Sequence, residues 1–293
     1  MSAQFYEACH TKRRATAADM EKRKLALLAI VREIQPATVR QVFYQATVHG
    51  VVEKSEAGYA RVQRALVELR RDRVMPYDWI VDNTRTMRKP RSYNSATDAL
   101  AACARLYRRN LWRDAEAYVE VWLEKDALSG VVYPIIETYD VPLMVARGYA
   151  SLSFLQSAAE AIAAQKRPSF IYHLGDHDPS GVNAGEKIEQ TLRELAPDAE
   201  IHFERLAVHP GQIAAWNLPS RPTKSSDSRA KKFGYAQSVE LDAIPPDTLR
   251  DIVQEAIERH IDADAIKRLA VAEESERDIL WQCVNMVAQE GAG

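Results

Sequence analysis

Apolar positions recur with a helical period through the first seventy residues. In residues 21–34, Leu25, Leu28 (with Ala29) and Arg32 fall at helical spacing, and Gln35-Pro36 ends the run. Residues 37–48 place Val39, Val42, Phe43 and Ala46 at i, i+3, i+4 and i+7, the stripe of a helix with one buried face. Gly50 follows, as expected of a residue that closes a helix with positive φ. Ser55 can cap a third helix whose apolar face is Tyr59, Val62, Leu66 and Leu69. Arg61, Arg64 and Arg71 then fall on its other sides. An extended piece, Tyr77 to Val81, comes next. Three short helices and an extended segment predict a winged helix-turn-helix over residues 1–92, with the third helix as the element that meets DNA.

The period changes in the second half. A basic stretch from Thr84 to Arg91 reads as a linker, and a helix over about 94–112 bridges residues 93–115. Thereafter strands at 117–124, 141–147, 168–175 and 200–208 alternate with helices at 127–139, 151–164 and 181–195. Strands separated by 10–15-residue helices predict a parallel sheet in a three-layer α/β domain over 116–212. The expected fold class is therefore α+β overall. Residues 213–293 read as a basic loop and two helices, about 247–260 and 264–288.

The longest apolar run, Leu25 to Val31, is far too short to span a bilayer, and the first 24 residues show no secretory h-region. A cytoplasmic protein is expected, nucleoid-associated if bacterial. Cys9, Cys103 and Cys283 lie far apart, which excludes a disulfide scaffold and a cysteine-rich zinc site. The net charge of −2 conceals an asymmetry. Residues 1–115 carry 22 Lys/Arg against 12 Asp/Glu, whereas residues 116–293 carry 17 against 29. A basic half that meets a polyanion and an acidic half that holds metal would produce that split.

The acidic half ends its strands on carboxylates. Glu124 closes the first strand, and the third runs into Gly175-Asp176-His177-Asp178-Pro179-Ser180-Gly181. Ligands of parallel α/β sheets sit at these strand ends. Glu124, Asp176 and Asp178 over one pocket form a hard oxygen site that suits Mg²⁺ or Mn²⁺ and phosphodiester chemistry. His177 should point away from the aspartates, and His173 reads as a satisfied sheet residue. Arg221, Lys224, Arg229, Lys231 and Lys232 crowd a polar loop that can contact phosphates.

The string Glu124-Lys-Asp-Ala127, the Gly148-Tyr149 turn and GDHDPSG resemble a Toprim domain. They are most similar to that of type IIB topoisomerase A subunits (topoisomerase VI) and of the related meiotic double-strand-break protein. In that family a winged helix precedes Toprim and carries its catalytic tyrosine in an Arg-x-x-[Phe/Tyr]-Tyr string, matched here by Arg40-Gln41-Val42-Phe43-Tyr44. The resemblance covers roughly residues 36–210. It implies that Tyr44 attacks a phosphodiester of double-stranded DNA to give a 5′-phosphotyrosyl link, with Arg40 stabilising the phenolate. It also implies a homodimer, in which one protomer's tyrosine serves the other's metal, and a separate ATPase B-type subunit as a further partner. Membrane association is not expected.

Two other readings stay open. In a Toprim nuclease the metal site is the same, but water attacks and Tyr44 is structural. In a non-catalytic DNA-binding module the acids merely grip a structural ion. The intact Glu124, Asp176 and Asp178 argue against it, because three converging carboxylates cost stability through repulsion unless a cation is used. Glu240 and Asp242, in a stretch without an assignable counterpart, could be supporting acids or surface residues.

Overall fold

A computed structural model describes residues 16–81, 90–224 and 228–290. The chain is α+β, with a four-stranded parallel sheet flanked by helices and a helical N-terminal layer. Cys9 and most of the basic stretch, Thr84 to Lys89, lie outside the described residues.

The N-terminal layer is α1 (Ala17–Ile34), α2 (Val39–Val48) and α3 (Glu56–Arg71). Thr16 and Thr38 each form a capping box with the residue three positions on, and Ser55 caps α3 by accepting from the Gly58 N–H. His49 ends α2, and Gly50 adopts φ +67°, the left-handed region expected of it. The buried stripe of α1 is not the expected one: Leu27, Ile30, Val31 and Ile34 face inward, while Leu25 is 60% exposed. The β-branched residues near its C-terminus, which pack on Val42, Val62 and Leu66, set that face. Residues 77–81 are not a strand. Pro76 leads into a 3₁₀ turn at Tyr77–Trp79, and Ile80 then makes one parallel bridge to Ala37. Among the described residues there are three helices and this bridge, without the hairpin of a wing.

The bridging helix is shorter than expected, α4 (Ala96–Leu106). Its continuation is taken over by the last helix: Glu276 accepts from Tyr107 Oη at 2.6 Å and from Arg109 at 2.6 Å, and Glu273 accepts from the Arg109 N–H at 2.9 Å. These contacts replace the backbone bonds that helical geometry would have supplied.

The sheet consists of β1 (Tyr118–Leu123), β2 (Leu143–Val145), β3 (Ser169–Leu174) and β4 (Ile201–Ala207) in the order β2-β1-β3-β4. Helices α5 (Ser129–Tyr139), α6 (Leu152–Gln165) and α7 (Pro179–Leu195) connect the strands. Alternation decides the layers. Val119, Val121 and Leu123 point to a core shared with Val132 and Ile136 of α5, whereas Trp122 points to the opposite core with Leu155, Ile162, Ile188 and Leu192.

Beyond the sheet come α8 (Pro210–Ala215), a two-stranded antiparallel ladder of β5 (Arg221–Pro222) and β6 (Gln237–Ser238), and α9 (Ala230–Phe233) between them. The chain ends in α10 (Pro246–Glu258) and α11 (Ala263–Glu290). Val253 and Ile257 of α10 complete the core over α5, so the C-terminal stretch supplies part of the domain's own layer. Among the described residues no helix is long and apolar enough to cross a membrane.

Candidate functional site

The central strands β1 and β3 run in register from Tyr118↔Ser169 to Leu123↔Leu174. One step further the Glu124 N–H donates to the Leu174 carbonyl at 2.9 Å, so Glu124 and the Gly175-Asp176 turn leave the sheet side by side. The Asp176 N–H donates to Glu124 Oε2 at 2.9 Å. Asp178 begins α7, its Oδ1 accepting from the Ser180 N–H at 3.0 Å and the Gly181 N–H at 2.8 Å, with Pro179 at the first helical position. The three acids named from the sequence thus come to the same end of the sheet.

Two glycines make room for them. A Cβ on Gly175 would stand 2.7 Å from Glu124 Oε2, and one on Gly181 would stand 2.9 Å from it and 2.5 Å from the Asp176 carbonyl. Burial pushes Glu124 up to about 7, helped by the charge of Asp176 and, more weakly, of Asp178. Burial also raises Asp176, against the pull of Lys125 and of the Leu241 N–H that donates to its Oδ1 at 2.8 Å.

Lys125 is the residue that sequence reasoning passed over. Its Nζ lies 2.9 Å from Asp176 Oδ1, 2.6 Å from Asp242 Oδ2 and 3.3 Å from Glu240 Oε2. Burial works against its charge, but Asp242, Asp176 and Glu240 together raise its pKa. Glu240 and Asp242, whose side chains are 8% and 2% exposed, arrive because Val239 pairs with His177 in an isolated antiparallel bridge. The available signal was the Glu-Lys pair at a strand end, where a lysine so close to acids invites pairing.

The N-terminal layer reaches the same place. Arg40 of α2 donates to Glu240 Oε1 at 2.6 Å. Tyr44, one turn on, is only 5% exposed, more buried than a flank position suggests, and packs in the sheet-side core rather than with its own helices. Its phenol is raised above the ordinary tyrosine value, first by burial and then by Glu240, with Arg40 and Lys125 pulling the other way. Tyr44 is therefore not activated here, because burial and the charge of Glu240 outweigh the pull of Arg40. The Lys54 ammonium stands 5.4 Å from the Tyr44 ring centroid and donates to the Ser220 carbonyl at 2.7 Å. Tyr44 comes beside Glu240 within a single chain.

Of the basic loop, Arg221 comes in, 3.6 Å from Asp178 Oδ2 and 3.7 Å from Glu240 Oε1. Arg229 donates to Tyr149 Oη, and Lys232 pairs with Glu186 at 2.6 Å. Lys224 and Lys231 are exposed. Arg61 of α3 lies 3.6 Å from Glu53, and Arg64 and Arg71 are exposed on the same helix as Arg61. His177 is buried against Phe233 and Tyr235, away from the acids. His173 is not satisfied: both ring nitrogens are buried without a hydrogen-bond partner among the described residues.

Among the described residues no three His, Cys, Asp or Glu side chains are disposed to ligate one metal ion. The reason lies in the pairing, since Lys125 engages Asp176 while Asp178 divides its oxygens between the α7 cap and Arg221. The donor set nonetheless fits a hard divalent cation. It is all oxygen, it is cleared by two glycines, and burial, helped by the charge of Asp176, holds Glu124 far above an ordinary carboxylate. No known family model matches this chain, and no curated protein sequence matches it.

Proposed function

We propose that the chain cuts DNA strands in a metal-dependent reaction in which Tyr44 is the nucleophile. The observation that supports this reading is the single charged network joining Arg40 of α2 through Glu240 and Lys125 to Asp176, with Tyr44 packed beside it. A divalent cation on Glu124, Asp176 and Asp178 would supply charge neutralisation at the scissile phosphate.

The chain's own residues do the rest. The Tyr44 oxygen bonds to phosphorus, the bond from phosphorus to the 3′ oxygen breaks, and the 3′ oxygen takes up a proton as the phenol loses one. Arg40 swings from Glu240 to the incoming phosphate and stabilises both the phenolate and the crowded equatorial oxygens. Lys125, placed between Asp176 and Glu240, holds the acids together before DNA arrives. Arg61, Arg64 and Arg71 on one side, and Arg221, Lys224, Arg229, Lys231 and Lys232 on the other, would hold the duplex backbone. The same reading carries the Toprim and winged-helix assignments, a homodimer and a B-type partner as proposals.

Hydrolysis by water is the second reading. The burial of Tyr44 and its raised phenol favour it, because a nucleophilic tyrosine must lose its proton. Supercoiled DNA with Mg²⁺ or Mn²⁺, quenched in SDS with and without protease, separates the two. Protein-linked ends lost in both Tyr44→Phe and Asp178→Asn are expected, the asparagine keeping the α7 cap. Free ends made by Tyr44→Phe but not by Asp178→Asn would move the assignment to a nuclease.

A further inference from the structure

The residue between the two site aspartates, His177, opens onto a second feature. A pocket of about 290 Å³ lies between the start of α7 and the segment carrying α9. Three rings gather on one side of it: His177 is 4.8 Å from Phe233 and 4.8 Å from Tyr235, and Phe233 is 5.1 Å from Tyr235, centroid to centroid. His177 is buried, whereas Tyr235 is 50% exposed. Cations border the rings: Lys232 at Glu186, Arg229 with its guanidinium 5.8 Å from the Tyr149 centroid, and the half-buried Arg205 in the pocket lining.

The size is at the lower limit for small-molecule sites, ~300 Å³, so it admits one planar group and excludes a duplex. An exposed ring beside cations offers a stacking face and a phosphate counter-charge together, the combination that holds unpaired nucleotides. The pocket adjoins the Asp176–Asp178 turn through His177 itself. A strand whose phosphate lies at the acids would have its neighbouring nucleotide here.

We infer that this pocket binds one unpaired nucleobase of a DNA strand, stacked on Tyr235 with its phosphate facing Arg229 and Lys232. The inference rests on the reading of DNA as substrate. An intact duplex cannot present a base in this way, so the pocket would select DNA with an overhang, a gap or a flipped nucleotide next to the cut.

The test is fluorescence anisotropy of the full chain, in EDTA, with two duplexes of equal paired length, one blunt and one with a three-nucleotide overhang in either polarity. The wild type should bind the overhang about tenfold more tightly. Tyr235→Ala should bring overhang affinity to the blunt value and leave blunt binding unchanged. Equal wild-type affinity for both duplexes, or a preference that survives in Tyr235→Ala, overturns the inference while leaving the DNA reading intact. Failure to bind either duplex overturns the DNA reading and the inference with it. A dAMP arm separates the sources of the base. Binding of dAMP that depends on Tyr235, without any overhang preference, would make the pocket a free-nucleotide site and overturn the inference.

Discussion

Arg40 and Glu240, two hundred residues apart in the chain, meet at 2.6 Å and tie the N-terminal helices to the acid-bearing end of the sheet. The Arg40 side chain is 48% exposed and that of Glu240 only 8%, so the two partners have unequal stakes in the pair. Glu240 also holds Lys125, and its own pKa stays below the ordinary carboxylate value despite burial because Lys125 and Arg40 face it.

From that asymmetry, Arg40→Ala should lower stability by less than about 1 kcal/mol, as solvent screens the exposed partner. Glu240→Gln should cost about 3 kcal/mol, because it removes a buried charge from between two cations. Urea denaturation of both single variants and of the double variant reads this directly. A double variant equal to the sum of the singles would show that the two side chains are uncoupled.

Lys125→Met should destabilise the chain by about 3 kcal/mol at neutral pH in EDTA, leaving Asp176, Glu240 and Asp242 without their shared counter-charge. Added Mg²⁺ should raise the thermal midpoint of this variant more than that of the wild type, since a cation takes over part of the neutralisation. Scanning calorimetry with and without Mg²⁺ checks it. Identical Mg²⁺ shifts in the two proteins would mean that no divalent ion takes over the neutralising role of Lys125.

His173 supplies a pH dependence. Burial pushes its pKa down to about 3, with Arg205 adding to the effect, and its ring nitrogens have no partner among the described residues. Below an unfolded-state value of about 6.5, the unfolded chain takes up a proton that the folded chain refuses. Stability should therefore fall as pH drops from 6.5 towards 3, by up to about 1.4 kcal/mol per unit from this residue alone. His173→Leu should flatten that slope in urea titrations between pH 6.5 and 4.5. Parallel slopes for the two proteins would show that His173 finds a proton acceptor in solution.

Much of the architecture was readable from local pattern. The period-2 strands and the 3.6-period helices put the sheet and its layers where they are found, and Gly50 and Ser55 end and begin their helices as their chemistry demands. Glu124, Asp176 and Asp178 could be placed together because a parallel sheet brings its strand ends to one edge. The end of α4 was not readable, because Glu276 of α11, 169 residues from Tyr107 and 167 from Arg109, displaces its last turn. Nor was the face of α1, where packing against α2 and α3 overrode the first apolar spacing.

By itself, then, the sequence determined the buried stripes of α2 and α3, since helix periods are local and set by backbone sterics. It also determined that acids would crowd one sheet edge. Only the tertiary structure decided how those acids are neutralised. Lys125, Glu240, Asp242 and Arg40 come from three distant segments, and their meeting depends on the His177–Val239 bridge and on the seating of α2. Spacing along the chain carries no record of such encounters, because a charge pairs with whatever the folded core brings within a few ångströms, not with what precedes it in sequence.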